Sequence, residues 1–159
     1  MSSYSYIVVD VFTETPFEGN PLAVFLDASG LDGAQMQTIA RELNLSETSF
    51  VFSPETSRGT ARVRIFTPNR EVDFAGHPTI GTAYALIANG RADSRAEILV
   101  LEENVGSIDV RIERRAAPFI AWLRTPPITF GPRHDRTGCA REKNVALSDR
   151  TDPAMNDFN

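Results

Sequence analysis

Two short stretches of the chain carry the groups best placed for chemistry. The first is Phe74-Ala75-Gly76-His77-Pro78-Thr79. Gly76 lets the backbone approach a neighbour closely or take positive φ. Pro78 suits the first position of a helix, where its missing N–H costs nothing. The segment that follows, Thr79–Ala88, carries no charge. The N–H groups of its first turn then open out of an uncharged helix. Such an end attracts anions, because unpaired donors and the helix dipole both favour negative charge. The chain has no glycine-rich phosphate loop, so a small-molecule carboxylate is the anion expected. His77 stands at the mouth, able to donate to a substrate or relay a proton; its plainer role is to cap the helix.

The second stretch is Leu43-Asn44-Leu45-Ser46-Glu47-Thr48-Ser49-Phe50-Val51-Phe52. Glu47 lies where an amphipathic helix has ended and an apolar strand begins. A carboxylate at such a junction can be partly buried, a setting that disfavours its charged form and suits proton transfer. The alternative is a solvated glutamate in a turn.

The elements that must position these groups are legible along residues 1–130. Tyr6–Phe12 is a nearly continuous apolar run, which predicts a strand covered on both sides. Thr13–Asn20, with Pro16, Gly19 and Asn20, reads as a loop, and Leu22–Leu26 as a second strand. Arg62 and Arg64 alternate with Val63 and Ile65, the pattern of a half-buried strand. Glu97–Leu101 and Ser107–Glu113 flank Asn104-Val105-Gly106 as a hairpin, and Phe119–Arg124 is the last strand. Asp32 with Gln35 forms a capping-box pattern, followed by Met36, Ile39, Ala40 and Leu43 on one helical face. The second helix, uncharged up to the stop at Asn89-Gly90, is apolar or small all round and should be buried on most sides. Such a helix in a strand-rich chain implies an α+β fold, a curved, barrel-like mixed sheet wrapped around a buried central helix. Trp122, Tyr84 and the phenylalanines are read as core, and Asp73 as an exposed turn residue.

Composition narrows the function. The chain has 159 residues, 42% of them apolar, and a net charge of −5. Without a basic excess it does not read as a nucleic-acid binder. Its lone Cys139 cannot form an internal disulfide, and no apolar run is long enough for a membrane span. A soluble, cytoplasmic protein is the expectation, with no metal site and no membrane partner. Residues 131–159 are rich in Gly, Pro, Asp, Asn and Arg and read as a linker or tail, with at most one short helix near Arg141–Leu147. His134 and Cys139 in that tail are not read as ligands.

Four stretches, in this order, resemble one family, the phenazine-biosynthesis PhzF-like proteins, relatives of diaminopimelate epimerase. They are Asp10-Val11-Phe12 with Phe17-Glu18-Gly19-Asn20-Pro21-Leu22-Ala23-Val24; Ser46-Glu47-Thr48-Ser49-Phe50; Arg64-Ile65-Phe66-Thr67-Pro68 with Glu71; and Phe74-Ala75-Gly76-His77-Pro78-Thr79-Ile80-Gly81-Thr82-Ala83. The resemblance covers about residues 5–130. It implies two similar halves, each a barrel-like sheet around a central helix, with the active site in the cleft between them and usually a dimer. It implies that Glu47 is the catalytic acid/base and that Gly76 and His77, with Pro78 and Thr79 in the same stretch, hold the substrate. The related two-cysteine epimerases carry a cysteine where Ala75 stands. Inverting a carbon requires a base on each face. With one base absent, a single carboxylate can still remove a proton from one carbon and return it to another on the same face. The reaction implied is a cofactor-free isomerisation of a small, possibly cyclic, carboxylic acid.

The family's members are usually nearly twice this length. Their second half brings an aspartate that none of Asp135, Asp149 and Asp152 matches, so the chain reads as an N-terminal half plus the start of a connection. A half exposes the apolar face its partner would cover, which leads us to expect a homodimer or a separately encoded second half. The alternative to an enzyme is an inactive half-domain retained as a binding or assembly module.

Overall fold

The structure, a computed structural model, describes residues 3–114 and 119–127. Its strands are β1 (Tyr6–Val11), β2 (Asn20–Phe25), β3 (Glu47–Phe52), β4 (Ala61–Phe66), β5 (Glu71–Val72), β6 (Ile98–Glu103), β7 (Gly106–Glu113) and β8 (Ile120–Leu123). Helix α1 (Gly33–Leu43) lies between β2 and β3, and α2 (Gly76–Ala88) between β5 and β6. The strands form one sheet in the order β1-β2-β3-β4-β6-β7-β8, with β5 paired to β4. Neighbours are antiparallel except β2 with β3 and β4 with β6, which are parallel. A parallel pair needs a long crossover, and each crossover here carries a helix.

The two helices lie on opposite faces, and strand alternation sorts the core between them. Leu22, Val24, Val51, Val63, Ile65, Leu99, Leu101 and Val110 pack with Ala83 and Leu86 of α2. Their neighbours Phe25, Phe50 and Phe66 point the other way, onto Met36 and Ala40 of α1. Phe50 stacks on Phe25 at 4.9 Å and meets Phe66 edge-on at 5.5 Å. Helix α2 touches β1, β2 and β3 as well as β6, β7 and β8. One helix reaches both outer strands because the sheet curls around it, as the uncharged sequence of α2 leads one to expect. Gly81 makes the fit possible: a Cβ there would lie 2.7 Å from both Leu22 Cδ2 and Val11 Cγ2.

The capping box holds as read. Asp32 Oδ1 accepts from the Gln35 N–H at 2.8 Å, and Gln35 Oε1 accepts from the Asp32 N–H at 2.9 Å. The Arg62–Ile65 alternation and the hairpin about Asn104-Val105 are also found. Other expectations are corrected. Strand β1 is not covered on both sides: Tyr6 and Val8 are exposed, because β1 is an outer strand and α1 covers β3 and β4. Phe12 falls outside β1 with φ 66°. Pro78 is the third residue of α2 rather than the first, still within the turn whose N–H groups have no helix acceptor. Strand β5 was not foreseen; two residues are too few for a period. Trp122, Tyr84, Phe12 and Phe17 are exposed rather than core, since they sit on the outer strands, the adjoining loop and the side of α2 between them. No helix among the described residues is long and apolar enough to cross a membrane. The tail reading for 131–159, including its short helix, lies outside the described residues.

Candidate active site

Three chain segments converge at one end of the curled sheet. Helix α1 ends at Asn44, whose left-handed backbone (φ 52°) turns the chain into β3. Glu47 is the first residue of β3, in register with Leu22 of the parallel strand β2. The Ser46 hydroxyl donates to Asn20 Oδ1 at 3.1 Å, tying the start of β3 to the start of β2. Helix α2 begins opposite, with His77 as its second residue.

Glu47 Oε2 lies 3.5 Å from His77 Nδ1, with the side chains 20% and 9% exposed. That separation couples the two electrostatically but is longer than a formed hydrogen bond. Glu47 Oε2 and His77 Nε2 are both shielded from water, and neither has a hydrogen-bond partner. Catalytic contacts are often this loose before substrate tightens them. Burial pushes the His77 pKa down, against the opposing pull of Glu47 and of the Pro21 backbone. The imidazole is therefore neutral at pH 7, able to donate from one nitrogen and accept at the other.

The helix end beside this pair is bare. Its N-cap is Ala75, which makes no side-chain cap, and no acidic residue stands in its first turn. The amides of Gly76 and His77 have no intrahelical acceptor, and Pro78 has no N–H to satisfy. Gly76 does not take positive φ. A Cβ added there would meet nothing within 4 Å, so the residue faces open space. The structure thus brings Glu47, Gly76 and His77 together. Pro78 and Thr79 are buried, and the Thr79 hydroxyl turns inward, 2.8 Å from the Ala75 carbonyl and 2.7 Å from Glu103 Oε1.

Arg64 and Glu71, from another of the matching stretches, do a different job. The guanidinium binds the carboxylate through two bonds of 2.7 and 2.6 Å and lies over the Phe66 ring. This pair braces β4 to β5 on the outer face. The Arg64 hydrogen bonds hold the Glu71 pKa below the usual carboxylate range, and Glu71 in turn raises that of Arg64. Nothing in the sequence around Asn20 or Glu103 marks a place at this site. Asn20 is visible as the end of the loop Thr13–Asn20, but the place of the next residue, Pro21, beside His77 depends on the pairing of β2 with β3.

The model of the family described as phenazine biosynthesis-like protein matches residues 9–146. The chain belongs to this family. It is 45% identical over 152 residues to the trans-2,3-dihydro-3-hydroxyanthranilate isomerase of Pseudomonas fluorescens, covering 94% of this chain and 52% of that protein. An uncharacterized isomerase of Mesorhizobium japonicum is 52% identical over 114 residues, 72% of this chain and 37% of its own. Among solved structures, the PhzF-family phenazine biosynthesis protein of Bacillus anthracis superposes with a TM-score of 0.70 at 36% identity, over 76% of this chain and 40% of that one. The chain therefore spans about half the length, or less, of these relatives. Their fold agrees with the curled mixed sheet around α2.

Proposed function

We propose that this chain carries the acid/base and the carboxylate-binding end of a PhzF-type isomerase, which moves a proton between two carbons of a small carboxylic acid. The single observation that carries this reading is the juxtaposition of Glu47 with His77 at an uncapped, uncharged helix end. The substrate carboxylate docks on the amides of Gly76 and His77. Neutral His77 donates to the bound acid or steadies the proton on Glu47. The Glu47 carboxylate takes a proton from one carbon while the electron pair moves along the substrate. The resulting Glu47 acid then delivers that proton to a second carbon on the same face. No atom is gained or lost, and neither cofactor nor metal enters. The names of relatives suggest trans-2,3-dihydro-3-hydroxyanthranilate as the first substrate to try.

Glu47→Gln tests the assignment. Loss of a positioned general acid/base lowers rates by roughly 10²- to 10⁴-fold. We expect turnover of that substrate to fall within this range, with the unfolding midpoint unchanged. Turnover equal to wild type would remove Glu47 from the chemistry.

A second reading rests on exposure. Phe17 is 95% exposed and Trp122 56%, with Phe12, Tyr84 and Ile120 also open to solvent. Apolar side chains presented in such number favour assembly with a second copy or a separate chain. In that assembly the site is completed by the partner, or the chain serves as a binding module without turnover. Sedimentation with and without activity separates these outcomes. A monomer that turns over substrate would count against both.

A further inference from the structure

The last two residues of β6 face opposite ways. Glu102 points to the outer side, where its carboxylate accepts from the Thr56 and Glu55 amides. Glu103 continues the inward row of Leu99 and Leu101, beneath α2, and is only 5% exposed. A carboxyl at a core position must find partners or lose its charge. Glu103 has one partner, the Thr79 hydroxyl; its Oε2 is buried without any.

We propose that Glu103 is a positioning residue for the site above: its carboxyl grips the Thr79 hydroxyl, Thr79 grips the Ala75 carbonyl, and this chain of hydrogen bonds holds the helix end that presents Gly76 and His77. The inference rests on the reading that this end binds substrate. A hydroxyl has a single proton to give, and Thr79 Oγ1 has two acceptors in reach, Ala75 O at 2.8 Å and Glu103 Oε1 at 2.7 Å. With Glu103 ionised, the Thr79 proton is drawn to the carboxylate, and the Ala75 carbonyl keeps only the Thr79 N–H at 3.2 Å. With Glu103 protonated, its O–H donates to Thr79 and Thr79 donates to Ala75, so each hydroxyl proton has an acceptor and no charge is left buried on Oε2.

Burial drives the Glu103 pKa up to about 7, against the Thr79 bond and the Arg62 charge. The charged groups around it are Arg62 from β4, Glu102 beside it in β6, Glu55 from the loop after β3 and Asp73 from the loop before α2. Asp109 and Arg111 of β7 are exposed on that strand's other face, and α2 itself contains no charged residue apart from the titratable His77. An unfolded glutamate titrates at about 4.3. The folded chain thus keeps a proton that the unfolded chain releases. The contribution of this carboxyl to stability is complete below about 4.3 and is lost as pH rises through 7.

The test uses the whole chain labelled with ¹³C and ¹⁵N, from pH 5 to 8.5. In wild type we expect the Glu103 carboxyl carbon and the amides of Gly76 and His77 to titrate together with a midpoint near 7. The His77 ring, whose pKa lies below its ordinary value, is followed separately. In Glu103→Gln the side-chain amide donates to Thr79 at every pH, so the amide titration vanishes. The urea midpoint of this variant should gain on wild type as pH rises from 5 to 8. Thr79→Val should uncouple the two events, leaving the carboxyl titration and abolishing that of the amides. Persistence of the amide midpoint in Glu103→Gln, or a Glu103 carboxyl in wild type that titrates as an exposed one does, overturns the proposal. None of these readouts uses substrate, so their failure leaves the Glu47 assignment standing, and loss of that assignment leaves them interpretable.

Discussion

The N-termini of the two helices are built on opposite principles. Helix α1 begins on the outer face with Asp32, and its side-chain exchange with Gln35 satisfies the first donors from within. Helix α2 begins with Ala75, which supplies nothing, and has no acid in its first turn. A helix end left without an internal acceptor keeps its donors for something else. The end of α1 is built for stability. The end of α2 gives up the tenths to two kcal/mol, roughly, that a cap contributes and keeps amides free beside Glu47 and His77. Burial separates the two helices as well. Helix α2 is gripped by strands from both ends of the sheet, whereas α1 rests on the middle strands, on Phe25 of β2, Phe50 of β3 and Phe66 of β4. That grip holds the bare end in place without a cap.

Making one end resemble the other is the sharpest way to break this contrast. Ala75→Asp should give α2 the cap that α1 has. The new carboxylate then occupies the amides and repels a substrate acid, so KM should rise tenfold or more while the chain unfolds no more easily. Unchanged KM would mean that the substrate does not use this end. The tightness of α2 is tested next. Gly81→Ala places a methyl against Leu22 and Val11, and we expect a loss of about 1–3 kcal/mol in urea unfolding, the usual cost of overpacking. Asp32→Ala removes the α1 cap and should cost about 1 kcal/mol, with KM and kcat unmoved. An effect of Asp32→Ala on KM would contradict the division of labour between the two ends.

Much of this was readable from residues alone. Asp32 with Gln35 marked the start of α1, because a capping box involves only four consecutive positions. The alternation about Arg62 and Arg64 announced a half-buried strand, and the uncharged run after Thr79 announced an enclosed helix. These are local signals. The stretch around Glu47 could be named as a helix-to-strand junction, but its approach to His77 depends on β2, β3 and α2 meeting at one end of the sheet. Glu103 was missed for a related reason. Glu102-Glu103 falls beyond the strand read as ending at Leu101, and only the sheet register shows that the second acid points inward with Leu99 and Leu101. The exposed Trp122 and Phe17 were misjudged because bulk and apolarity predict burial in general. They do not reveal that β8 and the loop before Asn20 border an uncovered face.

The central claim is that Glu47 and the first amides of α2 serve one bound acid. The most direct measurement is an NMR titration of the labelled chain with 2-aminobenzoate, a stable aromatic carboxylate. The amides of Gly76 and His77 and the side-chain carboxyl of Glu47 should shift together and saturate with one dissociation constant, while the Gln35 amide at the start of α1 stays still. Saturable shifts that leave Gly76, His77 and Glu47 unmoved, or no saturable shift at all, would contradict it.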